Sequence, residues 1–559
     1  MGDKNIYPSN LRNYFLKDTL LDYLNLYCDP SHKDVSTFPE ADFTKLMFDL
    51  GNEYESHVVA KLISLCNKLD LTYYQVDRNN KNQTPYAQTK NAFQLRVDVI
   101  FQPFLKDWST NTAGYPDIVI SKLAYKKIFH ENLITVDKFS EQSYFVIDVK
   151  YSTINTQTET DYQRFIRAQV CIYNTLLTTV LTGLKIMTKP SPNVGFILAK
   201  GESDEPLGKL IMLQLEDMQL NKDIYSAIQW VNKVRKEGKN WSIDSQRPYD
   251  KQTQSIMKEL FPNMGNKYDY PWHSYKGILA ERFKDVSHIW GIGTKIRSEL
   301  RENKIIDFED EMLGEELSQI INQDTQKYKN INQIVSTLLD SIEQDFSLKN
   351  IDKRKFIYFD LEGCYEFKMF EKGRQYITMI GFGQYIHQNN KKMDLETNWI
   401  QKTFFIDKLD PRLEEEMITN AINYLKMEQN DSELILLHYT SAENQFLKML
   451  REKGVIFKSV DLAICFKYFW EKGIIDVNIN NFRLKTVMQR FLELGYLDMD
   501  IYKESKIKSG MEVASIYNQV NKLDKQYRES LINEIIKYNE SDCKSLYIIH
   551  LLFKTKVSL

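Results

Sequence analysis

A chain of 559 residues is too long for a single core, so two to four domains are expected. Its 43% hydrophobic and 27% charged residues are ordinary for a globular protein, and a net charge of −3 excludes an overall polycation. Any nucleic acid must therefore be held by local grooves and metal ions. Cys28, Cys66, Cys171, Cys364, Cys465 and Cys543 lie far apart with no C-x-x-C pair, which disfavours a zinc ribbon or a disulfide framework and suits a reducing compartment. No apolar run is long enough for a membrane span, and Met1 to Ile6 carry neither a secretory segment nor a myristoylation signal. An intracellular, soluble protein without membrane contact is expected.

In chain order, residues 42–69 repeat Leu46, Leu50, Tyr54, Val58 and Leu62 at helical spacing. Glu55 falls beside that apolar seam, either as a snorkelling surface acid or because a site requires it. Gly114-Tyr115-Pro116-Asp117 leads into the apolar run Ile118-Val119-Ile120, so Asp117 stands at the mouth of a strand. Residues 121–143 read as a hairpin or short helix. Tyr144 to Lys150 reads as a buried strand with Asp148 and Lys150 on one face. Converging carboxylates repel, a divalent cation relieves the repulsion, and the adjacent lysine can hold a water. Asp98 is a rival acid without the Gly-Tyr-Pro lead. Residues 161–184 read as a helix carrying Arg164, Arg167, Gln169 and Tyr173, with the last two on a shared face. Asn193 to Leu198 reads as another strand.

The ordered set, a helix with Gly51-x-x-x-Glu55, a strand with Pro116-Asp117, a strand with Asp148-x-Lys150 and a helix with Gln169-x-x-x-Tyr173, resembles the RecB-like branch of the PD-(D/E)xK nucleases over roughly residues 40–200. That resemblance implies a restriction-endonuclease-like domain in which Glu55, Asp117 and Asp148 support one or two Mg²⁺ (or Mn²⁺) ions. Lys150 would align the attacking water, and Gln169 and Tyr173 would contact the substrate backbone. No iron–sulfur cluster is expected, because no matching set of four cysteines exists.

Residues 205–265 are charged and partly helical, and Trp230, Trp241 and Trp272 read as packing anchors. Farther on, Gly291-Ile292-Gly293-Thr294-Lys295 between two short helical stretches resembles a helix-hairpin-helix module. In such a module the Gly291 and Gly293 backbone would approach a phosphate, and Lys295 and Arg297 would add charge. The competing reading is a turn that only packs helices together.

The last third opens on Lys355 to Gly363, a strand with Asp360 and Glu362 on one face. Leu434 to Tyr439 is a second apolar strand, leading to Glu443, and residues 527–552 form a helix with Tyr538 and Asp542 four apart. This order resembles the DEDD exonucleases of the RNase H-like fold, in the tyrosine subtype, over about residues 352–559. By that resemblance Asp360, Glu362, Glu443 and Asp542 would hold two metal ions, and Tyr538 would orient the water. Glu443 departs from the aspartate usual there, and its longer stem moves the carboxylate. Asp461 is either a neighbouring ligand or a helix cap. Phe482 to Met511 carry no assigned chemistry.

The expected architecture is α/β and multidomain: a RecB-like PD-(D/E)xK domain at 1–210, a helical connector with the helix-hairpin-helix motif at 211–345, and an RNase H-like domain at 346–559. The expected function is an Mg²⁺- or Mn²⁺-dependent nuclease, with DNA favoured and RNA the alternative substrate. The first site would be the main catalyst, and the second either a 3′–5′ exonuclease or a site that only holds a strand. One rival is a non-catalytic nucleic-acid-binding scaffold with vestigial acid clusters. The other is an unrelated α/β protein whose acids merely cap helices and strands.

Overall fold

The computed structural model describes residues 4–130, 132–152, 159–186, 192–201, 207–289, 292–305, 307, 354–368, 373–386, 398–429, 432–472, 475, 482–495 and 505–557. The chain is a mixed α/β, multidomain protein, and none of its described helices is long and apolar enough to cross a membrane.

The first large sheet has the order β1 (Tyr73–Gln75), β2 (Val99–Phe101), β5 (Ile118–Ser121), β6 (Tyr144–Lys150), β7 (Val194–Ala199) and β8 (Lys209–Gln214), while β3 (Leu105–Asp107) and β4 (Thr112–Gly114) form a separate hairpin. Strand β5 is antiparallel to both β2 and β6, and β6 is parallel to β7. A strand covered on both faces reads as a continuous apolar run, and β6 is such a strand. Its Tyr144 and Val146 enter one core with Ala168 and Cys171 of helix α2 (Asp161–Gly183). Its Phe145, Ile147 and Val149 enter the other core with Val58 and Leu62 of helix α1 (Phe43–Lys68). Alternation thus puts Asp148 and Lys150 on the α2 face, at the end of the strand. Both helices start on side-chain caps: Asp42 accepts from Lys45 N–H, and Thr160 and Gln163 form a capping box.

The boundary expected at residue 210 is not where the packing divides. Strand β8 runs to Gln214 and belongs to the first sheet. The core that contains Ile6 and Val146 also holds Trp230, Trp241, Trp272 and Phe283, so residues well into the expected connector pack on the first module. Trp230 and Trp241 stack at 5.7 Å, and the Trp272 indole N–H donates to Asn25 Oδ1 at 2.8 Å, as packing anchors should. This part also contains a small two-stranded pair, β9 (Trp241–Ser242) and β10 (Tyr249–Asp250). The connector beyond Asp307 lies outside the described residues.

The second large sheet has the order β13 (Trp399–Phe405), β12 (Gln375–Tyr385), β11 (Arg354–Tyr365), β14 (Glu433–His438) and β15 (Phe457–Asp461). The central strand β11 is antiparallel to β12 and parallel to β14. Ile357 and Phe359 face one core, and Tyr358 the other. The long helix α3 (Lys525–Val557) feeds both, through Leu531 and Ile535 on one side and Leu546 and Ile549 on the other. Asp542 lies between those two groups.

The modules are stitched together just ahead of α1. Ala41 is buried in the second module's core, and the Glu40 carbonyl accepts from Ser515 Oγ at 2.7 Å and Gln519 Nε2 at 2.9 Å. The Tyr527 hydroxyl donates to Glu40 Oε2 at 2.8 Å, and the Tyr151 hydroxyl, next to Lys150, donates to the Lys368 carbonyl at 3.1 Å.

Candidate functional site

Acids gather at two places. At the first, Asp117 Oδ2 accepts from Val149 N–H at 2.6 Å, which ties the mouth of β5 to β6. Asp148 is 1% exposed, and its Oδ2 pairs with Lys150 Nζ at 2.7 Å. Glu55 reaches in from α1 and accepts from Gln102 Nε2 at 2.6 Å. Burial, then Asp148 and Glu55, push the Asp117 carboxyl well above the usual carboxylate range. Burial alone would lower the Lys150 amine, but Asp148 and Asp117 outweigh it and keep the ammonium charged. Gln169 Nε2 donates to the Tyr173 hydroxyl at 3.1 Å, and burial followed by Asp148 and Asp117 raises that phenol. A Cβ at Gly114 would sit 2.5 Å from Tyr173 Cε1, so the glycine of the Gly-Tyr-Pro lead makes room for this ring. Glu55, Asp117, Asp148, Lys150, Gln169 and Tyr173 therefore share one neighbourhood.

The rival Asp98 is used up structurally: Oδ2 accepts from Thr72 N–H at 3.0 Å and Oδ1 from Ser121 Oγ at 3.0 Å. Arg164 and Arg167 likewise pair with Asp223 and Asp217, at 2.7 and 2.9 Å.

The second place is the tighter one. Among the described residues, Asp360, Glu362 and Asp542 form the group in which one carboxylate oxygen from each lies within 4.8 Å of the others. Asp360 and Glu362 come from β11, and α3 delivers Asp542 across the sheet. Burial first, then Asp542, pushes the Glu362 carboxyl to about 8, with Lys485 working against them. Burial raises Asp542 to about 6, opposed by Lys485 and the Tyr538 hydroxyl. Burial and then Glu362 and Asp542 raise Asp360 well above its ordinary value. Asp542 Oδ1 is buried and has no hydrogen-bond partner among the described residues. A trio of mutually repelling oxygens with an orphaned acceptor suits a hard divalent cation such as Mg²⁺ or Mn²⁺, whose ligands are oxygens.

Tyr538 is 6% exposed, and burial followed by Asp542 raises its phenol, which stays protonated as a donor. Asn539, missed in the sequence, is wholly buried and donates to Asp360 Oδ2 at 2.9 Å, orienting that carboxylate. A Cβ on Gly381 would collide with Asn539 Oδ1, so the neighbouring strand is bare at that point. A conspicuously polar side chain beside Tyr538 on a helix that packs on both cores was the available signal. Lys485 was also missed, because its helix carries no local pattern pointing to β11.

Glu443 stands outside the trio, contrary to expectation. It is 3% exposed at the N-cap of Asn444–Glu452, with Oε2 lying 3.5 Å from His438 Nδ1. Its charge still bears on Asp360 and Glu362. The longer stem and the turn before it account for the displacement: Thr440 has φ 91°, a strained value for a β-branched residue, held by Thr440 N–H to Asp461 Oδ1 at 3.2 Å. Asp461 also caps Leu462–Glu471, accepting from Ala463 and Ile464 N–H, so it is a helix cap.

In the expected hairpin, Gly291 lies outside the described residues. Gly293 is the N-cap of Thr294–Glu302, and the Lys295 side chain is 90% exposed, compatible with phosphate contact. Arg297 is not available for it. Only 3% exposed, it donates to the Phe261 and Pro262 carbonyls at 2.9 and 2.7 Å and pairs with buried Asp285 at 3.4 Å. Those carbonyls and the buried acid take up its donor fork, and the packing of Val286, Ile292, Leu300 and Ile305 brings Arg297 to them.

No protein-family model matches the chain, and neither the curated proteins nor the solved structures yield a match.

Proposed function

We propose that the chain is a divalent-metal-dependent nuclease that hydrolyses nucleic-acid phosphodiester bonds, DNA favoured, with a RecB-like first module and an RNase H-like, DEDD-type second module. The observation that carries the reading is the trio Asp360, Glu362 and Asp542, whose oxygens lie within 4.8 Å of one another beside Tyr538. A bound Mg²⁺ or Mn²⁺ would supply a nucleophile at neutral pH and offset charge on the phosphorus. The chain's own residues do the rest. Asn539 fixes the Asp360 carboxylate, and the Tyr538 hydroxyl, whose proton goes to Asp542 on the same helix face, offers its oxygen to accept from and orient the attacking water. The mixed sheet with two acids on its central strand supports the RNase H-like assignment. The first centre, expected from the sequence to be the main catalyst, is the second catalytic candidate. Lys150 and Asp148 hold one another at 2.7 Å, Asp117 is tied to β6, and Gln169 and Tyr173 stand by for the substrate backbone.

Digestion of end-labelled single- and double-stranded DNA and RNA with Mg²⁺ or Mn²⁺ tests the reading. Wild type is expected to cleave DNA, and Asp360→Ala to lose most of that cleavage while remaining folded by circular dichroism. Loss in Lys150→Ala alone hands the chemistry to the first centre. Absence of metal-dependent cleavage by wild type on every substrate would leave the non-catalytic scaffold.

A further inference from the structure

Two acids of the first centre, carried by different elements, are joined by one residue that its local sequence does not mark. Gln102 follows the last residue of β2 and stands opposite Asp117, since Phe101 pairs with Ile118. Its N–H donates to the Asp117 carbonyl at 2.8 Å, and its Nε2 donates to Glu55 Oε1 at 2.6 Å. The backbone of Gln102 thus holds the mouth of β5, and its side chain holds the acid from α1.

The backbone of this residue is not that of a strand. Gln102 has φ 51°, in the left-handed region, although Pro103 follows it and a following proline drives a residue toward extended geometry. The two faces of the sheet supply the reason. Val99 and Phe101 enter the core with α1 and Ile100 the core with α2, so one more extended residue would send its side chain to the α2 face. Glu55 comes from α1, on the opposite face. The left-handed turn ends the alternation, and the carboxamide meets Glu55 instead. Glycine or asparagine would adopt that backbone more easily, so the strain points to a task for the longer side chain.

Glu55 is the residue that needs holding. Asn52, Glu53, Ser56 and His57 around it on α1 are exposed, and an unrestrained glutamate among them would turn to water. Among the described residues Glu55, Asp117 and Asp148 do not close on one another as the second trio does, so the place of Glu55 is set by its own partner. A carboxamide is a neutral donor, which orients a carboxylate and leaves its charge intact. We propose that Gln102 is a positioning residue of the first centre, keeping the charge of Glu55 within reach of a divalent cation at Asp117 and Asp148. The inference rests on the proposed reading of that centre as a metal site.

Mn²⁺ titration of the full chain carrying Asp542→Asn, which removes the second centre, reads the first centre alone. Gln102→Gly in that background should weaken Mn²⁺ binding about tenfold, the loss typical of an outer partner, while the metal-free thermal midpoint stays level or rises, because glycine takes the left-handed backbone freely. Gln102→Asn should do likewise, its amide being too short to reach Glu55. Glu55→Gln should weaken Mn²⁺ at least as much, and adding Gln102→Gly to it should cost nothing more, since one residue acts through the other. Unaltered affinity in Gln102→Gly would overturn the inference, as would losses that add in the double variant. A fall in the metal-free midpoint of both Gln102 variants would also overturn it, marking a purely structural residue. Absence of Mn²⁺ binding by the Asp542→Asn parent would sink the metal reading of the first centre, and the inference with it. Mn²⁺ binding that depends on Gln102 in a chain that cleaves no nucleic acid would sink the nuclease reading and leave the inference standing.

Discussion

The two acidic centres face the same problem and answer it differently. At the first, the charge of buried Asp148 is met from within, by Lys150 two residues along the same strand at 2.7 Å. At the second, three acids converge and, among the described residues, the cation seen to oppose them is Lys485 of another helix, with Asn539 and Tyr538 adding neutral donors, so protons or a metal must do the remainder. A self-paired site keeps its charges assembled without a ligand. An acid-only site is electrostatically strained until a cation arrives, which makes its behaviour ligand-dependent.

The largest expected break in that contrast is Asp542→Asn. It should abolish Mn²⁺ binding at the second centre, lowering affinity by more than about 100-fold, because a ligand loss exceeds the effect of an outer partner. The same substitution should leave metal-free stability equal or higher, since it removes one of the repelling charges. Calorimetric Mn²⁺ titration and thermal unfolding with and without metal read both, and a fall in metal-free Tm would contradict the picture of strain.

Lys150→Met should do the opposite. It strands Asp148, 1% exposed, without its partner and should destabilise the metal-free protein by about 3 kcal/mol, whatever it does to cleavage. An unchanged denaturation midpoint would mean that the first pair is not structurally coupled.

The smaller effect is in pH. Glu362 rises from 4.5 to about 8 and Asp542 from 3.8 to about 6, so the folded, metal-free protein binds these protons more tightly than the unfolded chain. Their contribution to stability is whole below about pH 4 and is lost as pH climbs toward 8. A metal must displace the same protons, so the Tm increment from Mn²⁺ should grow from pH 6 to pH 8, and Glu362→Gln should flatten that growth. An increment independent of pH would place the metal elsewhere.

Much of the local structure could be read in advance. The strand Tyr144–Lys150 and the helix Asp161–Gly183 lie where periodicity put them, as does the pairing of faces at Asp148 and Lys150. Asp98 and Asp117 could be told apart only by weak context, Gly-Tyr-Pro against its absence. The decisive difference is that Thr72 and Ser121 consume Asp98 while Asp117 is tied to Val149. Arg297 was legible as a charge, but its burial against Phe261 and Pro262 depends on chain segments distant from its own helix.

By itself the sequence determined which residues share a face, because strand and helix periods are properties of a few consecutive residues: Asp360 with Glu362, Tyr538 with Asp542, Asp148 with Lys150. Only the tertiary structure decided that Asp542 closes on β11 while Glu443 stands aside, that Lys485 opposes the trio, and that residues beyond 210 complete the first core. Those outcomes depend on sheet order and on which apolar faces bury one another. That choice is made by the whole core at once, and no stretch of local pattern encodes it.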